Sequence, residues 1–277
     1  MCSSDNIYGS EETRVRAICL CAGRSSRLLP LTLHVHKSAL HVAGWPMLDW
    51  QMSAFLAAGI KEVVLVLGHG VREIRRLLEP WRSVLEVHVV ENAEFDCKNL
   101  DFSLFCAREF LDGPTLYYEG DLLLHPRLIT SLCKCGSDIT IAAGSNVDIG
   151  CADTLVHRGS SGYYLECAEH GALNPRGSQG EFVCAVHFSA ISIVELRSKL
   201  MSSVFFGPMH LYELFSTLMQ SYATTLIDSS SDPWIEIDGA ADLERAPAIV
   251  KKFGFQPSSY LDELGLQFGR IRTSSAT

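Results

Sequence analysis

Short apolar runs alternate along the chain with segments whose apolar residues recur every three or four positions. The runs at 17–20, 63–67 and 84–90 have the length and composition of buried parallel strands. Between them, residues 48–58 and 71–78 carry apolar side chains at helical spacing. This β-α-β-α order predicts an α/β fold with a doubly wound, mostly parallel sheet, whose ligands bind at the carboxyl ends of the strands.

The same alternation continues through the second half of the chain, with one interruption. It predicts strands at 115–121, 138–143, 180–189 and 234–238, and helices at 103–110, 191–200, 211–220 and from Ala241 onward. Between 147 and 180 the sequence is rich in Gly, Ser, Asp and Cys and alternates only briefly, which predicts a small hairpin-rich insertion. We therefore expect a disordered tail at 1–13, one domain over 14–253 and an extension at 254–277. Packing and homodimer formation both stay open as uses of that extension.

The composition of the chain limits the class of ligand and the cellular compartment that we expect. The chain has 277 residues, 47% of them hydrophobic, and a formal charge of −9. It can bury a large core, and its acidity argues against a broad nucleic-acid surface, so the expected ligand is a small anion in a local basic pocket. Scattered cysteines, a polar N-terminus and the absence of a long apolar run predict a soluble cytoplasmic protein with no membrane span.

The loop after the first strand is a candidate phosphate site. Gly23 tolerates unusual backbone angles, Ser25 and Ser26 offer hydroxyls, and Arg24 and Arg27 flank the bend. Small residues let backbone N–H groups approach a polyanion, while guanidinium groups neutralise its charge. The loop has neither common glycine-rich fingerprint, so from its pattern alone a triphosphate loop and an ordinary turn both stay open. The predicted nucleotide contacts are Cys21, Ala22, Gly23, Arg24, Ser25 and Ser26.

Two aspartates follow apolar runs far apart in the sequence. Asp121 ends the run at 115–121 and Asp238 ends the run at 234–238, with Glu236 on the same strand face as Asp238. Strand ends place charge at the ligand face of a parallel sheet, and such carboxylates repel unless a cation lies between them. Mg²⁺ bound to a triphosphate needs one or two protein oxygen ligands. A helix-cap or turn role is the alternative for each aspartate.

These features resemble the sugar-phosphate and choline-phosphate nucleotidyltransferases. The resemblance rests on elements in the family's order: Arg27-Leu28, Pro30-Leu31-Thr32, Lys37, Gly44 with Pro46, Asn92, Phe95, Asn99, Ser103-Leu104, Gly120-Asp121, Gly180-Glu181, and Trp234 with Glu236 and Asp238. The chain departs from the family pattern at Arg24, Ser38, Leu100 and Cys184, and Cys184 stands where glycine is usual. Neither the departure at Arg24 nor that at Ser38 removes a charged group that the family's chemistry needs, while the bulkier Cys184 changes the expected shape of the pocket.

The resemblance implies a Rossmann-like nucleotidyltransferase fold and a reaction. An acceptor phosphate or phosphonate oxygen attacks the α-phosphorus of a nucleoside triphosphate, and pyrophosphate leaves. It implies catalytic roles for Lys37 and Arg27, and Mg²⁺ as cofactor on Asp121 and Asp238. It also implies nucleotide contacts from Asn99 and Ser103, for which turn and helix-cap roles are the alternative. It further implies acceptor contacts from Tyr212, Glu213 and Glu181. For Tyr212 and Glu213 the alternative is an ordinary place on the face of an amphipathic helix.

The pattern at 95–104 and the length of the chain favour CTP as donor and a small acceptor such as phosphocholine or 2-aminoethylphosphonate. Two alternatives stay open. One is a sugar-1-phosphate nucleotidyltransferase that uses UTP, dTTP or GTP, and the other is a non-catalytic nucleotide-sensing homologue.

Overall fold

The computed structural model describes residues 14–97, 99–144, 154–168, 172–206, 210–257 and 259. The predicted tail at 1–13, part of the predicted insertion and most of the predicted extension at 254–277 lie outside the described residues.

The helices lie between the strands in chain order. They are α1 (Met47–Ala57), α2 (Val71–Leu78), α3 (Leu100–Cys106), α4 (Pro126–Lys134), α5 (Ala190–Phe206), α6 (Leu211–Ser221) and α7 (Ala240–Val250). Short 3₁₀ turns occur at Ser26–Leu28, Lys37–Ala39, Pro80–Ser83, Arg108–Phe110 and Lys251–Phe253. Within the described residues, no helix is both long enough and apolar enough to span a bilayer.

The strands form one large sheet and two small ribbons. They are β1 (Arg16–Cys21), β2 (His41–Val42), β3 (Trp45–Pro46), β4 (Glu62–Leu67), β5 (Glu86–Glu91), β6 (Thr115–Glu119), β7 (Leu122–Leu124), β8 (Ile139–Gly144), β9 (Thr154–Arg158), β10 (Tyr163–Cys167), β11 (Ser178–Phe188), β12 (Thr224–Asp228) and β13 (Trp234–Glu236).

The large sheet has the predicted doubly wound core. Strand β1 is at its centre and pairs in parallel with β4 and β6, while β4 pairs in parallel with β5. Long β11 runs antiparallel to β6, β8 and β9, and β12 pairs in parallel with β8. The predicted insertion supplies the antiparallel pair β9–β10. The prediction of an α/β fold with a mostly parallel sheet and a small hairpin-bearing insertion is confirmed.

The ribbon of β7 and β13 lies outside the large sheet. Its strands are antiparallel, with Glu236 opposite Leu122, and the backbone N–H of Ile237 donates to the carbonyl of Asp121 at 3.0 Å. The expectation that Asp238 ends a strand of the large sheet is therefore wrong. The two aspartates come together because β13 pairs with the short strand that directly follows Asp121.

A second, smaller apolar cluster holds this ribbon in place. It joins the ribbon to α1 and α7 through Met47, Trp50, Leu123, Ile235, Ile237, Ala246 and Val250. Leu28, which ends the first 3₁₀ turn, belongs to the same cluster. Burial of apolar surface therefore fixes the loop after β1 and the segment before Asp238 against each other.

Some predicted boundaries differ from the observed ones. The helix expected at 103–110 is α3, which begins at Leu100 and ends at Cys106, followed by the 3₁₀ turn Arg108–Phe110. Ser103 is consequently inside the helix and does not open it. Helix α4 and the short strands β7 and β12 were not predicted, because each is short and lies close to stronger patterns.

Candidate active site

The loop after β1 leaves the sheet with one unusual backbone angle. The left-handed residue is Ser25, at φ 53°, whereas Gly23 has no positive φ. The Ser25 carbonyl accepts hydrogen bonds from the Leu28 N–H and the Thr32 hydroxyl, which stabilises the turn. A Cβ built on Gly23 would meet no atom within 4 Å. The backbone at Gly23 is therefore open to a close-packed ligand.

The two loop arginines have different partners. Arg24 pairs with Asp96 at 2.5 Å across an exposed surface and stacks over the Phe95 ring. Arg27 pairs with Asp238 at 2.8 Å, with 63% of its own side chain exposed. Arg27 is thus directed to the predicted catalytic centre, whereas Arg24 links the loop to the segment before α3.

A histidine positions Lys37. His36 precedes the 3₁₀ turn Lys37–Ala39; its Nδ1 accepts from the Ser38 N–H at 3.0 Å, and its Nε2–H donates to the Cys21 carbonyl at 2.9 Å. Burial is the main cause that lowers the pKa of His36, which favours this neutral form. The ring ties the turn that carries Lys37 to the end of β1. Cys21 itself is buried and contributes its carbonyl to this anchor.

The ammonium of Lys37 lies between the two predicted metal ligands. Its Nζ is 3.1 Å from Asp121 Oδ2 and 3.3 Å from Asp238 Oδ1. Burial disfavours the charge of Lys37, but the two carboxylates outweigh it and raise the pKa of the ammonium. Burial and the neighbouring Asp121 raise the pKa of Asp238 against the opposing effect of Lys37 and Arg27. In this structure, the positive charge between the two aspartates is the ammonium group of Lys37.

A third carboxylate completes the acidic cluster. Ligand atoms of Asp121, Glu236 and Asp238 all lie within 4.8 Å of one another. Asp121 Oδ1 is buried and has no hydrogen-bond partner, so it offers an unused lone pair in the cluster. Three carboxylate groups, one of which has an oxygen without a hydrogen-bond partner, suit a hard divalent cation such as Mg²⁺. The residues present fit the predicted cofactor.

A cavity of about 590 Å³ opens from this cluster along the loop after β1. It is lined by many predicted site residues, which are Ala22, Gly23, Arg27, Asn99, Ser103, Asp121 and Tyr212. Asn99 precedes α3 without a side-chain cap bond, whereas the buried Ser103 hydroxyl accepts from Asn92 Nδ2 at 3.0 Å. Asn99 is the freer of the two for ligand contact.

A second, larger cavity of about 960 Å³ lies on the other side of Asp238. Arg27 and Glu236 line both cavities, whereas Asp238 and Glu181 line only this larger one. Glu213 is exposed on α6 and lines neither cavity. The structure therefore brings Glu181 and Tyr212 to opposite sides of the acidic cluster and leaves Glu213 outside it.

The predicted set lacked Glu119 and Glu236. Glu119 ends β6, is buried, and accepts hydrogen bonds from the Tyr117 and Tyr212 hydroxyls. Burial first, and the charge of Asp121 second, raise the pKa of Glu119 to about 8. Both glutamates stand at the ends of apolar strands, the same signal that singled out Asp121 and Asp238. Glu119 stabilises the position of Tyr212 beside the cavity.

Sequence comparison gives relatives for the half of the chain that carries this loop. Residues 16–102 match the Nucleotidyl transferase family. A CMP-5'-(3-aminopropyl)phosphonate synthase of Streptomyces rubellomurinus is 33% identical over 129 residues, which are 47% of this chain and 20% of that protein. A 2-aminoethylphosphonate cytidylyltransferase of Lancefieldella rimae is 31% identical over 119 residues, 43% of this chain and 47% of that protein. The matches thus span less than half the length of these curated relatives.

Solved structures show the same fold over most of the chain. The inositol-1-phosphate CTP transferase from T. maritima superposes with a TM-score of 0.70 at 19% identity and covers 87% of this chain and 96% of that one. At such low identity the likeness supports the fold alone. Residues 16–102, less than half of the chain, are therefore similar to the Nucleotidyl transferase family, and the fold around them is that of the solved structure.

Proposed function

We propose that this protein is a Mg²⁺-dependent cytidylyltransferase, which transfers CMP from CTP to a small phosphate or phosphonate acceptor and releases pyrophosphate. One observation carries the proposal: Lys37 meets Asp121 and Asp238, and Asp121 lines a cavity that extends to the open backbone of Gly23. Phosphoryl chemistry needs positioned positive charge and little covalent help from protein, and this arrangement supplies it.

The side chains have separate tasks in the proposed reaction. The backbone from Ala22 to Gly23 lies against the triphosphate, and the exposed Arg27 reaches its outer oxygens. Lys37 neutralises charge that grows on the α-phosphate, since its ammonium is buried and stays protonated at neutral pH. For this, Lys37 turns from the carboxylates toward phosphate.

Asp121, Glu236 and Asp238 would hold the Mg²⁺ ion. When bound, Mg²⁺ supplies positive charge to the phosphate oxygens. The carboxylates need such a cation once Lys37 engages the α-phosphate, because three anions within 4.8 Å repel one another.

The transfer itself is a displacement at phosphorus. A lone pair of the acceptor oxyanion forms a bond to the α-phosphorus, the bond from that phosphorus to the bridging oxygen breaks, and pyrophosphate leaves with the electron pair. The acceptor is already ionised at neutral pH, so no side chain has to remove a proton. Holding donor and acceptor in line is the larger part of what the protein provides.

The relatives support the choice of donor and acceptor. Those named above carry cytidylyl or CMP chemistry on phosphonates in their names. The cavity wall beside Tyr212 is aromatic and carries the carboxyl oxygens of Glu119 and Glu236, which suits an acceptor with a cationic head group. Free nucleotide and a small charged acceptor are also compatible with the expected cytoplasmic location.

A panel of CTP, UTP, dTTP, ATP and GTP tests the proposal, each combined with 2-aminoethylphosphonate, phosphocholine, inositol 1-phosphate and glucose 1-phosphate. Pyrophosphate release in the presence of Mg²⁺ is the readout. We expect the fastest release with CTP and a phosphonate or choline-type acceptor. A preference for a purine nucleotide would exclude the cytidylyltransferase assignment, and release only with glucose 1-phosphate would replace the acceptor class by sugar phosphates.

A further inference from the structure

Cys184 has a backbone conformation that L side chains rarely adopt. It lies in β11 at φ 47°, in the left-handed region, where a non-glycine residue costs free energy. The pairing of β11 with β8 shifts register between Phe182 and Val186, around this residue. A strained side chain kept at such a point calls for a reason in its contacts.

The thiol of Cys184 connects the two sides of the smaller cavity. The Tyr212 hydroxyl donates to its Sγ at 3.6 Å, and the thiol donates to Glu236 Oε2 at 3.8 Å. Cys184 is 5% exposed and lines the cavity together with both partners. Its side chain thus fills the space between the aromatic wall at Tyr212 and the acidic cluster at Glu236.

Chemical reactivity does not explain this placement. Burial, and then the carboxylates of Glu236 and Glu119, raise the pKa of the Cys184 thiol well above its ordinary range. A thiol of this kind is protonated at neutral pH and is a poor nucleophile. What remains is its volume and its weak hydrogen bonds, which include one from the thiol to the Phe182 carbonyl at 3.7 Å.

We propose that Cys184 determines the size of the acceptor, because its side chain occupies the cavity between Tyr212 and Glu236 and leaves room only for a small head group. The inference rests on the proposed function and names a specificity residue for it. Glycine at this position would adopt the observed φ without strain and would open the space that Cβ and Sγ now fill. Bulkier head groups would then fit beside Tyr212.

A matched pair of acceptors tests the inference. 2-Aminoethylphosphonate and its N,N,N-trimethyl analogue differ only by three methyl groups on the nitrogen. We compare kcat/KM for the two acceptors in the parent protein and in Cys184→Gly, with CTP and Mg²⁺. The parent should prefer the smaller acceptor, and Cys184→Gly should shift the ratio toward the trimethyl compound by roughly tenfold or more, the discrimination that a few carbon atoms in a pocket provide.

Two further variants separate volume from hydrogen bonding. Cys184→Ser keeps a donor of similar size and should leave the ratio within about threefold of the parent, while Cys184→Ala should lie between serine and glycine. An unchanged ratio in a folded Cys184→Gly variant, or a parent that already prefers the trimethyl acceptor, would overturn the inference and leave the proposed function standing. A parent that releases pyrophosphate with no acceptor of the wider panel would overturn both.

Discussion

At the scale of single residues, the ionic contacts of Lys37 are the feature on which the proposed chemistry depends. A buried ammonium is tolerated only with partners that return the lost hydration energy, and Asp121 and Asp238 provide this. The same contacts hold Lys37 ready in the absence of nucleotide. A residue poised in this way should affect turnover more than binding.

We predict that Lys37→Ala lowers kcat by about 10²–10³ and changes KM for CTP much less, because the ammonium acts mainly on charge that develops in the transition state. Steady-state kinetics at saturating Mg²⁺ measures this. Lys134→Ala, at an exposed position of α4, is the control. A raised KM with an unchanged kcat would mean that Lys37 only binds.

A second residue-scale prediction concerns His187 in β11. It is 6% exposed, both ring nitrogens lack hydrogen-bond partners, and burial lowers its pKa from 6.5 to about 4. As pH falls, His187 in the unfolded chain therefore takes up a proton before His187 in the folded chain does. The free energy of unfolding consequently decreases as pH falls from the unfolded-state pKa of 6.5 to the folded-state pKa of about 4. Between about pH 7 and about pH 5 the loss from this residue is roughly 2 kcal/mol.

Urea unfolding of the parent and of His187→Leu at both pH values checks this. The variant should lose less stability than the parent over the same interval, and His34→Gln, at an exposed position, should behave like the parent. Equal losses in parent and His187→Leu would contradict the prediction.

At the scale of elements, two features bring the site residues together. One is the ribbon of β7 and β13, and the other is the close approach of the end of β6 to β1. Gly120 lies between Glu119 and Asp121 at this crossing. A Cβ there would lie 2.5 Å from Cys21 Sγ and 2.7 Å from the Leu20 carbonyl oxygen, so only glycine lets the chain pass. Its backbone N–H also donates to that carbonyl at 3.0 Å.

We predict that Gly120→Ala lowers the free energy of unfolding by roughly 1–3 kcal/mol and displaces Asp121, because a backbone carbonyl cannot move aside as a side chain can. Gly113→Ala is a matched control, since a Cβ at Gly113 meets no atom within 4 Å. Thermal and urea unfolding of both variants give the comparison. Equal stability of the two variants would show that β6 has more room at this crossing than the structure gives it.

The sequence predicted these elements unevenly. Long apolar runs such as β1 and β4 carry a clear periodic signal, and the charges at strand ends indicated Asp121 and Asp238. The three-residue β7 carries no periodic signal, and its pairing with the predicted strand β13 joins distant parts of the chain. The positive φ of Cys184 also depends on a register shift between two strands, which a single sequence does not reveal.

At the scale of the whole molecule, the large sheet supplies the loop after β1, Lys37 follows it in the same half, and the smaller apolar cluster fixes the ribbon that carries Asp238. The proposed centre thus lies between two packed regions, with a cavity on each side of the acidic cluster. Nucleotide would bind at the Gly23 end of the smaller cavity and the acceptor at its Tyr212 wall, so that the two meet near Lys37.

The central claim is that CMP is transferred at this centre, and identification of the product by ³¹P NMR tests it most directly. CTP, Mg²⁺ and 2-aminoethylphosphonate are incubated with the parent, with Asp121→Asn, with Asp238→Asn and with Glu244→Gln, whose exposed carboxyl lies on α7. We predict a phosphonate–phosphate anhydride and free pyrophosphate with the parent and Glu244→Gln. We predict neither product with the two aspartate variants or with the parent in excess chelator. Full product formation by either aspartate variant, or by the parent without divalent cation, would contradict the account.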